Sequence, residues 1–371
     1  ILPNGKWTVT AAIPRDDEDA RPRIIALWPG LKNEAYGIAC DIGSTTIAMH
    51  LVSLLSGRVV ASAGASNPQI RFGEDLMSRV SYVMMNPDGR IAMTRAVRQE
   101  ISRLIDKVAV EGGAARTDIL DAVFVANPIM HHLFLGIDPT ELGGAPFALA
   151  VSGAVRAHAH DLRLGLNPGA RLYMLPCIAG HVGADAAAVT LSEGPHRQDQ
   201  MMLVVDVGTN AEIVLGNRDR LVAASSPTGP AFEGAEISSG QRAAPGAIER
   251  VRIDRETLEP RFRVIGSELW SDEPGFEEAV AATGVTGICG SGIIEVIAEM
   301  YLAGIISEDG VIDGSLAARS PRIVGQGRTF SYLLKDGEPR IAVTQNDVRA
   351  IQLAKAALYA GTKLLMEKQG V

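Results

Sequence analysis

Cysteine is scarce in this sequence. Its 371 residues include three, Cys40, Cys177 and Cys289, dispersed and odd in number, so neither a disulfide framework nor a CxxC metal site is available. Small or apolar neighbours flank each, which suits a small buried hydrophobe. An excess of positive charge is missing too: 35 Lys and Arg against 43 Asp and Glu give a net charge of −8 and a pI near 5.5. That excludes nucleic acid as the main partner, because neutralising phosphates takes a basic surface. No apolar run is long enough to cross a bilayer and the N-terminus has no signal-peptide architecture, so a cytoplasmic location is expected. Neither GxxxxGK(S/T) nor G-x-S-x-G occurs, which removes P-loop chemistry and a serine hydrolase. His131, His132, His158, His160 and His181 lack companion carboxylates or thiolates at ligand spacing, so no zinc site is expected.

What is present is ordinary globular usage, 47% hydrophobic and 21% charged, with length enough for two or three domains. Within it one pattern occurs twice. LVVDVGTNAEIVL (203–215) is an apolar strand that reaches Asp206, turns through Gly208, Thr209 and Asn210, and resumes as a strand. GIACDIGSTTIAMHLV (37–52) does the same through Asp41, Gly43, Ser44, Thr45 and Thr46, 165 residues earlier. A domain-length interval between copies points to an internal duplication, with two related domains facing across a cleft. A buried carboxylate is costly without a partner, so Asp206 is expected to face a cation or a hydrogen-bond cluster. Tight turns with hydroxyl residues suit phosphate oxygens, and Asp41 and Asp206 would then hold a hydrated Mg²⁺ between them. One Asp-x-Gly turn reads as easily as an ordinary β-turn; two in matched strand contexts carry the argument.

Around these turns the periodicity predicts strands over 7–13 and 24–28 flanking a polar loop at 14–22, strands over 37–40 and 46–54, helices over 74–84 and 91–110, and a strand over 121–126. On the second helix Ile91, Val97, Ile101, Leu104, Ile105 and Val108 are expected to share one side. Loop follows to about 169, then a strand over 171–176 and GHVGADAAAVTLSEG (180–194), an alanine-rich helix with Asp185 in a first turn where the dipole favours negative charge. A third glycine-rich turn opens the helix GICGSGIIEVIAEMYL (287–302), and TQNDVRAIQLAKAALYAGTKLLME (344–367) starts on a Thr344/Asp347 capping box. The small residues of this last helix and those at 186–188 would let the two helices cross closely as a hinge. The domain reading is a β-rich lead-in at 1–36, lobe I at 37–195, and lobe II at 196–371 with the helix at 344–367 as connector.

These motifs together resemble the actin-like ATPases, the superfamily of sugar and acetate kinases and chaperone ATPases. That likeness implies a duplicated α/β fold of two lobes about a cleft. It makes 41–46 the first phosphate motif, 206–210 the second, and 287–292, with Gly287, Gly290, Ser291 and Gly292, the adenosine motif. GHVGADAAAVTL also resembles the sugar-kinase helix whose aspartate acts as base, which gives that role to Asp185. With NPQIRFGEDLMSRV (67–80), PIMHHLFLGIDP (128–139), PTGPAFEGAEISSGQRAAPGAI (227–248), GICGSGIIEVIAEM and TQNDVRAIQLAKAAL, the chain from 37 onward is similar to the ATP-dependent reductive activators of corrinoid proteins.

The resemblance implies ATP and Mg²⁺ as cofactors and a corrinoid protein or methyltransferase as partner. Its Co(II) would be reduced to Co(I) with electrons that a donor passes through an N-terminal 2Fe–2S ferredoxin-like domain. That domain is expected upstream of Ile1, with no iron in this chain; a homodimer is an allowed assembly. Two places depart from the family pattern: Ser44 stands for threonine, and Asn127-Pro128-Ile129 replaces Gly-Asn and a small residue before the Met-His-His run. PTGPAFEGAEISSG, with Glu233 and Glu236, is a candidate partner-facing or nucleotide-sensing loop. The rival readings are a small-molecule kinase in which Asp185 deprotonates a substrate hydroxyl, and a nucleotide-regulated binding module without turnover. A third, the activator of 2-hydroxyacyl-CoA dehydratases, needs cluster cysteines that Cys40, Cys177 and Cys289 are not placed to supply.

Overall fold

A computed structural model of the chain describes residues 4, 6–14 and 23–371, so most of the polar loop at 14–22 lies outside the described residues. The chain divides into two compact units between Gly194 and Pro195. In the first, β1 (Val9–Ala12) and β2 (Ala26–Pro29) pair antiparallel, with Val9 opposite Pro29. An antiparallel meander follows: β3 (Tyr36–Ile42), β4 (Thr46–Ser53) and β5 (Val59–Ser66). Two helices, α1 (Leu76–Met85) and α2 (Gly89–Glu111), lead to β6 (Ile119–Ala126), which runs parallel to β3. Helix α3 (Pro128–Leu135), β7 (Val155–His158), β8 (Arg171–Met174) and α4 (Ala184–Glu193) complete the unit. Its main sheet has the order β5-β4-β3-β6-β8-β7.

Pleating sends alternate residues of β3 and β4 to one face. Ile38, Cys40 and Ile42 with Ile47, Met49 and Leu51 accordingly share a core with Met93, Val97, Ile101, Leu104, Ile105 and Val108 of α2. Ile91, expected on that side, is 46% exposed. Six residues before Val97 is well off a 3.6-residue stripe, whereas Met93, four before, falls on it. Helix α1 begins at Leu76 rather than 74 because Asp75 caps it: its carboxylate accepts the Ser78 N–H at 2.8 Å and the Ser78 hydroxyl accepts the Asp75 N–H at 3.2 Å. Within the expected loop, α3 forms because the Asn127 side chain accepts the Met130 N–H, Pro128 occupies the first turn, and Gly136 closes the helix at φ 80°.

The second unit opens on the same device, an antiparallel meander of β9 (Met202–Val207), β10 (Ala211–Gly216) and β11 (Leu221–Ser226). In each unit the Asp-x-Gly turn joins the first two strands of the meander. Next come β12 (Ala247–Ile253), β13 (Pro260–Val264), the short α5 (Phe276–Ala279) and β14 (Gly287–Ile288), with β14 parallel to β12. After α6 (Gly290–Leu302), the strands β15 (Ile323–Gln326), β16 (Thr329–Lys335) and β17 (Ile341–Thr344) form a third small sheet ahead of α7 (Gln345–Gln369). Ile248, Val251 and Phe262 meet Ile293, Val296 and Met300 of α6 and Val348 and Ile351 of α7 in one core. The capping box of α7 is made: the Thr344 hydroxyl accepts the Asp347 N–H at 3.2 Å and the Asp347 carboxylate accepts the Thr344 N–H at 2.7 Å. At Gly361 the close neighbour is a sheet. A Cβ there would lie 2.8 Å from Ile213 Cδ1, and the Ser226 hydroxyl donates to Ala357 O at 2.7 Å.

Candidate functional site

The first turn is built from behind. Asn67, 1% exposed, donates its amide to Gly43 O at 2.8 Å and its backbone N–H to Thr45 O at 2.8 Å. Between them the guanidinium of Arg79, from α1, donates to Ser44 O at 2.6 Å. A trans peptide sets its N–H opposite its C=O. Three successive carbonyls tied back therefore turn the N–H groups of Ser44, Thr45 and Thr46 away from that backing, a concavity suited to an anion. Gly43 is required by this tightness, since a Cβ would stand 2.5 Å from Thr46 O.

Asp41 lies one residue before the end of β3, beside Val125 of β6, and is exposed: the pleat that buries Cys40 and Ile42 points it to the opposite face. At the same end of β6 the start of α4 is pressed in. A Cβ on Gly183 would come within 2.6 Å of Ala126 O, so the helix that carries Asp185 abuts the carboxyl end of the strand next to β3. One carboxylate oxygen of Asp185 accepts the Ala186 N–H at 2.8 Å. The ends of parallel strands are where open α/β sheets place ligands. Cys177, close to Ala184 and Asp185, has its thiol pushed up to about 12, chiefly by burial, and stays protonated. All three cysteines are buried and free. His132 is occupied structurally: its Nε2 accepts the Ala150 N–H at 3.1 Å, so Nδ1 donates to Pro128 O at 2.8 Å. His131 beside it is buried, which pulls its pKa down to about 4.

In the second unit Asp206 is half-buried rather than buried, and that burial alone lifts its carboxyl above the usual range. Its cross-strand partner is Glu212, so two acidic residues share one face, an arrangement that a cation relieves. Thr228 backs this turn as Asn67 and Arg79 back the first, its hydroxyl within reach of Gly208 O at 2.9 Å and Thr209 O at 3.2 Å. The Thr209 hydroxyl donates to Glu233 at 2.5 Å. The loop that supplies Thr228 and Glu233 also wraps the glycine-rich turn of α6. A Cβ on Gly290 would lie 2.0 Å from Phe232 O and one on Gly287 2.7 Å from Gln241 Oε1, while the Gln241 N–H donates to Ile288 O at 2.8 Å. Ser291 sits in the first turn of α6, its hydroxyl 3.2 Å from Cys289 Sγ. Asn67, Arg79, Glu212 and Thr228 are the residues that reading by motif passed over. Among the described residues no group of three or more His, Cys, Asp or Glu is placed to hold a metal ion. No described helix is long and apolar enough to cross a membrane.

Comparison with protein families then decides the kinship. Residues 36–198 match the RACo middle region and 200–371 match the C-terminal ASKHA domain of RACo. The chain belongs to the RACo family. Its fold is accordingly the actin-like ASKHA fold. Among RACo relatives, the corrinoid activation enzyme RamQ of Eubacterium limosum is 35% identical over 361 residues, 94% of this chain and 58% of that protein. The Co(II) methylated amine-specific corrinoid protein reductase of Methanosarcina barkeri is 27% identical over 364 residues, 91% of this chain and 60% of the relative. A solved reductive activator for corrinoid, iron-sulfur protein matches with a TM-score of 0.84 and 34% identity, covering all of this chain and 57% of its own. This RACo chain thus spans less than two thirds of the length of these relatives. The middle-region match holds the first turn, Arg79 and Asp185; the ASKHA match holds the second turn and the glycine-rich turn of α6.

Proposed function

We propose that this chain is the ATPase module of a corrinoid reductive activase, in which binding or hydrolysis of ATP is coupled to reduction of Co(II) to Co(I) on a corrinoid methyltransferase partner. Electrons come from a 2Fe–2S ferredoxin-like domain that is no part of residues 1–371. The observation that carries the nucleotide half is the first turn, where Asn67 and Arg79 tie back the carbonyls of Gly43, Ser44 and Thr45 and leave amides for phosphate oxygens. The names of the relatives, an activation enzyme and a reductase of corrinoid proteins, support the other half.

In this reading Gly43, Ser44, Thr45 and Thr46 cradle phosphate oxygens from the first unit, and Gly208, Thr209 and Asn210 do so from the second. Gly287, Gly290, Ser291 and Gly292 shape the adenosine side. Asp41 and Asp206 would hold a hydrated Mg²⁺, which would supply positive charge to offset that of the phosphates. Asp185 orients the attacking water and takes its proton as ATP and water become ADP and phosphate. Co(II) reduction is uphill for a mild donor, so the nucleotide has to bias a conformational or coordination state in which it proceeds.

Reconstitution tests this. Purified chain, a corrinoid protein, Mg·ATP and a mild reductant are combined with and without a separately supplied ferredoxin-like domain, and the cobalt absorption spectrum is followed. Co(I) should accumulate when both ATP and the iron–sulfur domain are present. Fast Co(I) formation without that domain, or stoichiometric iron in the purified chain, would contradict the division of labour. Phosphoryl transfer to a sugar or carboxylate would move the chain to the kinase reading.

A further inference from the structure

Arg79 is wholly buried, and its three acceptors are two backbone carbonyls and a thioether: Gly73 O at 2.9 Å, Ser44 O at 2.6 Å and Met130 Sδ at 3.1 Å. None is a carboxylate. Buried arginines are rare without a paired anion, because the desolvation of the charge has to be offset. Restraining a carbonyl does not need that charge, as the neighbouring bond shows: the neutral Asn67 amide does the same work on Gly43 O. Burial pulls the Arg79 guanidinium down to about 10, with Asp75 opposing the shift, so it remains a cation at neutral pH. A cation therefore sits behind a peptide whose other side presents N–H groups outward, and an anion on that side would be its counter-charge.

We propose that Arg79 is the fixed positive charge of the first phosphate turn, acting from behind through the Ser44 peptide as a positioning residue that makes the turn selective for the phosphates of a nucleotide. The proposal rests on the nucleotide reading above. A unit charge one peptide's width behind a phosphate changes affinity by about 10- to 100-fold at protein-like screening. The test is titration calorimetry of the whole chain with Mg·ATP and, separately, with adenosine, on the parent, Arg79→Gln and Arg79→Lys, with thermal melting as the folding control. Arg79→Gln should lose at least about tenfold in Mg·ATP affinity and keep its adenosine affinity, whereas Arg79→Lys, which keeps the charge and gives up the fork, should stay within about threefold of the parent. Equal Mg·ATP affinity in the two variants, whether retained or lost, overturns the proposal, because the charge then has no separate effect. Should Arg79→Gln not melt cooperatively, Arg79→Lys decides by its pH profile: a buried lysine sheds its proton where the guanidinium does not, so Mg·ATP affinity within about threefold of the parent at neutral pH that falls away from the parent's as pH rises supports the charge role, and a larger loss at neutral pH or a profile parallel to the parent's overturns it. A parent chain that binds no Mg·ATP overturns the nucleotide reading itself and this proposal with it.

Discussion

Asn67→Asp changes a donor into an acceptor at the back of the first turn and leaves the shape alone. Asn67 is 1% exposed; its NH₂ donates to Gly43 O at 2.8 Å and its oxygen accepts the Gln69 N–H at 2.9 Å. An ionised carboxylate in that place would set oxygen against oxygen. The buried carbonyl left without a donor costs about 1–3 kcal/mol. Alternatively the introduced carboxyl keeps a proton and donates to Gly43 O again, at about 1.4 kcal/mol for each pH unit by which the solution stands above the unfolded carboxyl pKa of about 3.9. The cheaper route sets the loss: about 2–4 kcal/mol at pH 8, where the repelled charge adds to the orphaned carbonyl, falling to about 1.5 kcal/mol at pH 5. The sign follows from a folded-state pKa above the unfolded one. The bond is fully present below the unfolded pKa and is lost as pH rises through the folded pKa. Denaturant midpoints of the parent, Asn67→Asp and Asn67→Ala at the two pH values read this directly, with Asn67→Ala losing the same at both. A deficit in Asn67→Asp that does not change with pH, or parental stability at pH 8, would refute the placement of the Asn67 amide on Gly43.

Asp41→Asn and Asp206→Asn should each weaken Mg·ATP binding with the melting curve unmoved; unchanged affinity by calorimetry in both would remove these carboxylates from the site. Asp185→Ala should lower the ATPase rate by roughly 10²–10⁴-fold while Mg·ATP affinity stays near the parent's, the span usual for a general base. A rate within about twofold of the parent would return Asp185 to a carboxylate that serves only the dipole of α4.

The hairpins β3–β4 and β9–β10 could be read from sequence because everything that specifies them is local: period-2 apolar runs on either side of a turn that names its own residues. Helix α3 is not legible in the same way, although its signals are local too. Asn127-Pro128 ends a strand as naturally as it caps a helix, and every residue at 128–134 is buried, so no polar face alternates with the apolar one to betray the 3.6 period. The start of α2 fails more simply. Ile91 looked like part of the stripe by composition, and only the phase of Met93, Val97 and Ile101 shows that it is not.

The site divides along the same line between local and distant causes. That 41–46 and 206–210 are tight turns rich in hydroxyl residues is written in the turns themselves. What shapes them is not: Asn67 reaches Gly43 across 24 residues, Arg79 reaches Ser44 across 35, and Thr228 reaches Gly208 across 20. A lone arginine in a helix reads as a solvated side chain, so its complete burial cannot be inferred from periodicity. The glycines of GICGSG show that a correct residue type can have more than one cause. Gly290 and Gly292 have no room for a Cβ because Phe232 O and Ile248 O would lie 2.0 and 2.2 Å from it, so packing within the unit already demands glycine there before any ligand is considered. The loop that carries Phe232 is also held to α7, where the Asp347 carboxylate accepts the Ser238 N–H at 2.8 Å. Through Thr228 and Glu233 on one side and Gln241 and Ser238 on the other, a single segment fixes the second turn relative to the glycine-rich turn and to α7. Any ligand that moved Thr209 would therefore press on that segment first, through Glu233.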